Sequence, residues 1–295
     1  MSTSLLGSRA VRERAAALGV HPRRRWGQNF VVDPNTIERI VRLAQVQAGE
    51  VVCEVGPGLG SLTGALLAAG ARVCAVEIDP VLADALPRFL TTSSAAAGGS
   101  AGGSVTVVHA DAATIAGERI CVAGDPATRL VANLPYNAAT PIVLNLLAHC
   151  PELAAGVVMV QAEMAARWAA APGEAAYGSP TVKLAWDVLV QRRGPVPRTA
   201  FWPIPDVDST LVAFTRTAPP GPEGLRRPTF AVIDAAFSQR RKTLRQALAG
   251  LAGGAPAAAE WLTAADIDPA RRGESLAVSD FVRLAASRPG LVSRA

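Results

Sequence analysis

The chain has 295 residues, half of them apolar, and carries 29 lysines and arginines against 24 aspartates and glutamates, a formal net charge of +5. That length suits one α/β domain with a smaller appendage, and the charge fits a nucleic-acid partner without demanding one. Four cysteines with no Cys-x-x-Cys pair and three scattered histidines suggest neither a zinc site nor a disulfide framework; no stretch reaches membrane-spanning length, and Met1 to Val20 mixes Arg and Glu among its apolar positions, unlike a secretory signal. The expectation is a soluble protein in the reducing cytoplasm.

Residues 1–22 read as an N-terminal extension with a loosely held helix over Arg9–Leu18. A basic arm follows, Arg23, Arg24 and Arg25, whose Trp26 and Phe30 are costly to leave in water and so should pack over a cleft. Asp33 or Asn35 can cap a helix running to about Gln45, with Ile37, Ile40, Val41 and Ala44 on one face. Val51 to Thr63 then organises the chain. A short β-branched run, glycines at 56, 58 and 60, and an apolar helical pattern through Leu62, Leu66 and Leu67 describe a strand, a tight turn and a helix N-terminus.

Glycine lets backbone approach a ligand, and the following helix aims its unpaired N–H groups at the same place. A dinucleotide fold uses Gly-x-Gly-x-x-Gly for a pyrophosphate. Here the pattern is Gly56-x-Gly58-x-Gly60 with Glu54 just before it, an acid that would repel a pyrophosphate and suits a ligand with a cationic end. A second strand, Arg72 to Ile78, ends near Glu77, about twenty residues past the turn, where a carboxylate can accept from both ribose hydroxyls. A third, Val105 to Ala110, ends at Asp111, placed to accept from an adenine amino group. Three strands ending at such groups look like S-adenosylmethionine (SAM) binding in a Rossmann-like methyltransferase.

Between strands two and three, Pro80 opens a helix to about Phe89, and Thr91 to Ser104 is a low-complexity, flexible loop with no assigned function. The fourth strand, Arg129 to Ala132, runs into Asn133-Leu134-Pro135-Tyr136. An adenine N6 amine is a poor nucleophile because its lone pair is delocalised into the ring. Two carbonyl acceptors on its hydrogens, the Asn133 side chain and the Leu134 backbone, would restrain that delocalisation. Pro135 fixes the backbone, and Tyr136 offers a face for an unstacked base, worth about 1–3 kcal/mol.

Beyond the tetrapeptide come a helix to about His149, a fifth strand over Gly156–Gln161, helices over Ala162–Ala170 and Thr181–Trp186, and strands over Val188–Arg192 and Ser209–Arg216. The last two are expected to form the antiparallel edge of a mostly parallel sheet. Phe201-Trp202-Pro203-Ile204-Pro205 should be an exposed aromatic loop, because two prolines remove ladder donors. Ala218 to Pro222 is a stiff linker. After it one long helix, Thr229 to Leu251, would present Arg240, Arg241, Lys242 and Arg245 outward, with helices over Ala257–Ala264 and Ser279–Ser287 closing a small all-α domain. The division is therefore 1–22, a Rossmann-like catalytic domain over 23–217, and a helical domain over 218–295 contributing to RNA binding.

Five ordered segments, Trp26-Gly-Gln-Asn-Phe-Val31, Glu54 to Gly60, Asn133 to Tyr136, Phe201 to Ser209 and Ala236 to Arg245, together resemble the ribosomal RNA adenine N6,N6-dimethyltransferases. The resemblance is greatest to the bacterial enzymes that dimethylate two adjacent adenines near the 3′ end of small-subunit rRNA. It implies that Asn29 and Val31 contact SAM from the arm, Gly56 and Gly58 line its methionine end, Glu77 holds its ribose, Asp111 its adenine, and Asn133 lies between cofactor and target amine. Phe201 would sandwich the target base opposite Tyr136. It also implies direct methyl transfer without a metal, a base taken out of its stack, RNA held by Arg23 to Arg25 and Arg240 to Arg245, immature small subunits as partner, and a monomer. A large-subunit adenine methyltransferase of the antibiotic-resistance type, or a non-catalytic rRNA assembly factor, would share the cofactor motifs. The Phe237 to Arg245 segment favours the small subunit, and the intact Asn133 to Tyr136 favours catalysis.

Overall fold

The computed structural model describes residues 6–20, 22, 28–96 and 103–288. In chain order the elements are α1 (Ser8–Ala17), β1 (Phe30–Val31), α2 (Pro34–Ala44), β2 (Val51–Val55), α3 (Ser61–Ala68), β3 (Arg72–Glu77), α4 (Pro80–Ala96) and β4 (Val105–His109). A hairpin of β5 (Cys121–Val122) and β6 (Asp125–Pro126) leads to β7 (Arg129–Asn133), α5 (Ala139–His149), β8 (Ala155–Gln161) and α6 (Ala162–Trp168). Then come α7 (Ser179–Asp187), β9 (Val188–Val196), β10 (Phe201–Trp202) and β11 (Ser209–Arg216). The remainder is helical: α8 (Arg226–Ser238), α9 (Leu244–Ala247), α10 (Ala249–Ala252), α11 (Ala255–Ala264) and α12 (Val278–Ala286).

Seven strands form one sheet in the order β4-β3-β2-β7-β8-β11-β9. The first five are mutually parallel and β11 runs antiparallel to β8, so the α/β, mostly parallel Rossmann-like sheet is present with its reversed neighbour. Every residue of β2 is buried, as expected of a central parallel strand covered on both faces. Residues 1–165 and 191–215 make one compact unit, whose core joins Ile37 and Ile40 of α2, Leu62 and Leu66 of α3, Val73 of β3 and Met159 of β8. Asp33 caps α2 as the sequence suggests, its carboxylate accepting from Thr36 N at 2.9 Å.

Residues 166–190 and 216–295 make a second compact unit. Segment 166–190 thus packs with the C-terminal helices, whereas the proline linker had marked the division at 218. Tyr177 and Val182 share a buried cluster with Ile233, Leu244, Leu262 and Phe281, and the Tyr177 hydroxyl donates to Leu276 O at 2.7 Å. Within this unit the buried Asp187 carboxylate meets Arg226 at 2.8 Å and Arg216 at 3.6 Å.

Three sequence expectations are corrected. The long helix is broken: α8 ends at Ser238, and Leu244 N and Arg245 N donate to Arg271 O and Pro269 O instead of to the preceding turn. Arg240, Arg241 and Lys242 are nevertheless exposed, on the turn between helices. α1 is not loosely held, since Val11 and Ala15 are fully buried. Helix α4 continues to Ala96, into the low-complexity stretch; the rest of that stretch to 102, like Arg23, Arg24, Arg25 and Trp26, lies outside the described residues.

Candidate functional site

The carboxyl ends of β2, β3, β4 and β7 open on a cavity of about 220 Å³ in the first unit. Ligands bind at such strand ends in open α/β sheets because side chains from neighbouring strands converge there, beside helix N-termini. Asn29, Val31, Gly56, Gly58, Glu77, Asp111 and Asn133 all line it, so every residue expected to hold the cofactor is brought to one place. Pro135 lines it too, while Leu134, Tyr136 and Phe201 do not.

The turn after β2 is built from glycines whose φ angles are +69° at Gly56, +55° at Gly58 and +84° at Gly60, values that side-chain-bearing residues adopt only under strain. At Gly58 there is also no room: a Cβ would stand 2.8 Å from the Phe30 ring. Gly60 precedes α3, whose first residues Ser61 and Leu62 line the cavity with N–H groups that have no partner in the preceding turn.

Two carboxyls are buried here. Glu77 accepts from Gly58 N at 3.1 Å and, through its other oxygen, from Ile78 N and Asp79 N at 3.0 Å. Burial raises its pKa, and these three donors pull partly back. Glu54 is 1% exposed, and burial pushes its carboxyl up to about 8; the Thr63 hydroxyl beside it opposes the rise and Glu77 adds to it. Glu54 Oε2 has no hydrogen-bond partner, nor does the buried Ser61 hydroxyl on the same cavity wall. Orphaned buried oxygens are costly. A ligand with a cationic group beside Glu54 and an acceptor beside Ser61 would satisfy both, which fits the amino-acid end of SAM. Ser61 was not singled out in the sequence, although its place at the first position of α3 after the glycines was a usable signal.

At the other side Asp111 is exposed to the cavity, with one oxygen held by Ala113 N at 2.8 Å. Asn133 ends β7, and its Nδ2 donates to Asn29 O at 2.7 Å. Because only the amide nitrogen can donate to that carbonyl, this contact fixes the orientation of the side chain and leaves Oδ1 as its acceptor. Leu134 is buried and its N–H donates to Met159 O at 3.1 Å. The half-buried Tyr136 shares a 2.6 Å hydrogen bond with Ser209 Oγ.

The aromatic loop differs from expectation. Phe201 and Trp202 pair antiparallel with Val31 and Phe30, a two-residue ladder that the flanking prolines permit. Successive side chains of a strand point to opposite faces. Phe201 therefore enters the core beside Val31 and Leu211 at 2% exposure, and Trp202 turns the other way to stack on Phe30, with centroids 6.1 Å apart. A Phe201 sandwich on a target base would require that ring to leave the core. Phe30 does line the cavity, as the cost of leaving it in water implied.

A family model described as ribosomal RNA adenine dimethylase matches residues 20–287. Relatives named Ribosomal RNA small subunit methyltransferase A are 54% identical in Kineococcus radiotolerans, over 98% of this chain and 93% of the relative, and 55% identical in Leifsonia xyli subsp. xyli, over 96% and 98%. Among solved structures, a dimethyladenosine transferase from Plasmodium falciparum superposes with a TM-score of 0.67 at 22% identity, covering 86% of this chain and 95% of its own. The 23S rRNA methyltransferase ErmE superposes with a TM-score of 0.62 at 23% identity, covering 88% and 99%. These two establish the shared methyltransferase fold. With the family match spanning nearly the whole chain, the protein belongs to the ribosomal RNA adenine dimethylase family.

Proposed function

We propose that this enzyme transfers methyl groups from SAM to the N6 amines of two adjacent adenines in the 3′-terminal hairpin of small-subunit rRNA, during maturation of that subunit. The observation that carries the chemistry is Asn133, fixed by Asn29 O at the cavity edge with its acceptor oxygen available. The cofactor supplies an electrophilic methyl group on a sulfonium. Glu54 and Ser61 hold its amino-acid end, Glu77 its ribose and Asp111 its adenine. Asn133 Oδ1 and Leu134 O accept from the target amine and localise its lone pair, while Tyr136, anchored by Ser209, gives the base a surface to lie on. No strong base is required, because a methylated amine nitrogen loses its proton readily.

The small subunit is favoured as partner by the names of three relatives that are 53% to 55% identical to this chain. Arg240, Arg241, Lys242 and Arg245, all exposed, are the surface for RNA phosphates, with Arg23 to Arg25 as a second contact. Among the described residues no helix is long and apolar enough to cross a membrane. The test is transfer of labelled methyl from SAM to small and large subunits lacking the modification, mapped by reverse transcription. Stops at two adjacent adenines near the small-subunit 3′ end support the assignment. Label on the large subunit alone would replace it with the resistance-type activity.

A further inference from the structure

The family model begins at residue 20, so α1 lies before the part of the chain it matches. Yet α1 is built against the cavity wall. Val11 and Ala15 share a buried cluster with Phe30, Leu59 and Leu82, and all three of those residues line the cavity. Arg14, one turn on from Val11, donates from one guanidinium nitrogen to Leu59 O at 2.7 Å and from the other to Phe89 O at 3.2 Å. Its guanidinium also lies over the Phe89 ring, 4.7 Å from the centroid.

These two carbonyls belong to different elements, the turn before α3 and helix α4. Leu59 stands between Gly58 and Gly60, both at positive φ and neither with a side chain to brace the turn on either side of it. Phe89 is on α4, the helix that contributes Leu82 to the cavity lining. A planar fork with fixed donor directions holds both at a set separation, which a flexible ammonium cannot do. The partly buried guanidinium has its pKa lowered by desolvation, so burying it costs free energy that its contacts must offset.

We propose that Arg14 is a positioning residue for the cofactor turn: α1 acts as a brace that pre-forms the cavity between Gly58–Leu59 and α4, and thereby sets the affinity for SAM. This rests on the SAM-binding reading above. The brace acts through the turn and touches no reacting atom, so it lowers the cost of ordering the site and leaves methyl transfer from the filled site unchanged.

The experiment is calorimetric titration of the full-length chain with SAM, together with steady-state methyl transfer, for wild type, Arg14→Ala, Arg14→Lys and Arg9→Ala. Arg9 is a control on the same helix, exposed and, among the described residues, paired with Glu13 on its own helix. Arg14→Ala is expected to raise both Kd and KM for SAM by about tenfold, with kcat at saturating SAM held within about twofold. Arg14→Lys should recover part of the affinity, since one ammonium reaches one carbonyl, and Arg9→Ala should match wild type. A fall in thermal midpoint with Kd unchanged would assign Arg14 a purely structural role and overturn the inference. Should Arg14→Ala not fold, an Arg14→Lys protein with wild-type Kd overturns it equally. Failure of the wild-type chain to bind SAM would instead overturn the proposed function.

Discussion

Glu54 makes the cofactor site sensitive to pH in two opposed ways. The carboxyl is fully buried, burial pushes its pKa from the ordinary 4.5 up to about 8, and one oxygen is unpaired. The folded state keeps this proton up to pH 8, while the unfolded chain releases it near 4.5, so the contribution to stability is lost as pH rises between those values. The full span corresponds to roughly 5 kcal/mol. Binding runs the other way. A cationic ligand end needs the carboxylate, so apparent affinity for SAM climbs with pH; relative to the fully ionised carboxylate it is about twofold weaker at pH 8, about tenfold at pH 7 and about a hundredfold at pH 6. Close to one proton should leave on binding at pH 7.

Calorimetric titration from pH 6 to 9, in buffers of different ionisation enthalpy, measures the affinity and the proton count together. Glu54→Gln should stabilise the ligand-free protein at pH 8, weaken SAM binding there and flatten the pH dependence. The stability cost and the binding function would then reside in one side chain, an arrangement common at active sites. A Kd constant across that range with no proton released would refute the assignment of Glu54 to the cationic end.

Other perturbations separate the remaining roles. Asn133→Ala should lower kcat by about a thousandfold or more, as expected when a transition-state contact is removed, while Kd for SAM changes only a few-fold; substantial surviving activity would remove Asn133 from the chemistry. Gly58→Ala combines a φ of +55° with a Cβ 2.8 Å from the Phe30 ring, and should destabilise the protein by about 1–3 kcal/mol and weaken SAM binding, read by thermal unfolding and titration. Replacing Arg240, Arg241 and Lys242 together by Ala should weaken RNA binding and reduce the salt slope by about two to three. An unchanged slope would place the phosphate contacts elsewhere.

Much of the cofactor site was legible because it is local in sequence. The strand, glycine turn and helix of 51–68 form one continuous unit, and Glu77 and Asp111 sit at the ends of the next two strands, so parallel pairing brings them together without further information. The antiparallel neighbour of β8 followed from the same pattern. What escaped depended on distant register. Which of Phe201 and Trp202 faces the core is decided by pairing with β1, some 170 residues earlier, and neither composition nor local spacing carries it. The break after Ser238 is similar, because helical periodicity continues through 239–243 while the loop at 269–271 takes the backbone donors of Leu244 and Arg245. Segment 166–190 reads as helices and the start of a strand continuing the catalytic domain, and only its contacts group it with the C-terminal helices. For α1, the sequence suggested only a loosely held helix, because its partners Leu59 and Leu82 lie more than forty residues away and nothing local identifies them.

The central claim is dimethylation of two neighbouring adenines by this one active site. Its most direct measurement is the end-point count of methyl groups incorporated per unmodified small subunit, with nucleoside analysis of the digested RNA. The account expects four methyls per subunit, recovered as N6,N6-dimethyladenosine from adjacent positions. Incorporation that stops at one methyl per adenine, or lies outside the 3′-terminal hairpin, would contradict it.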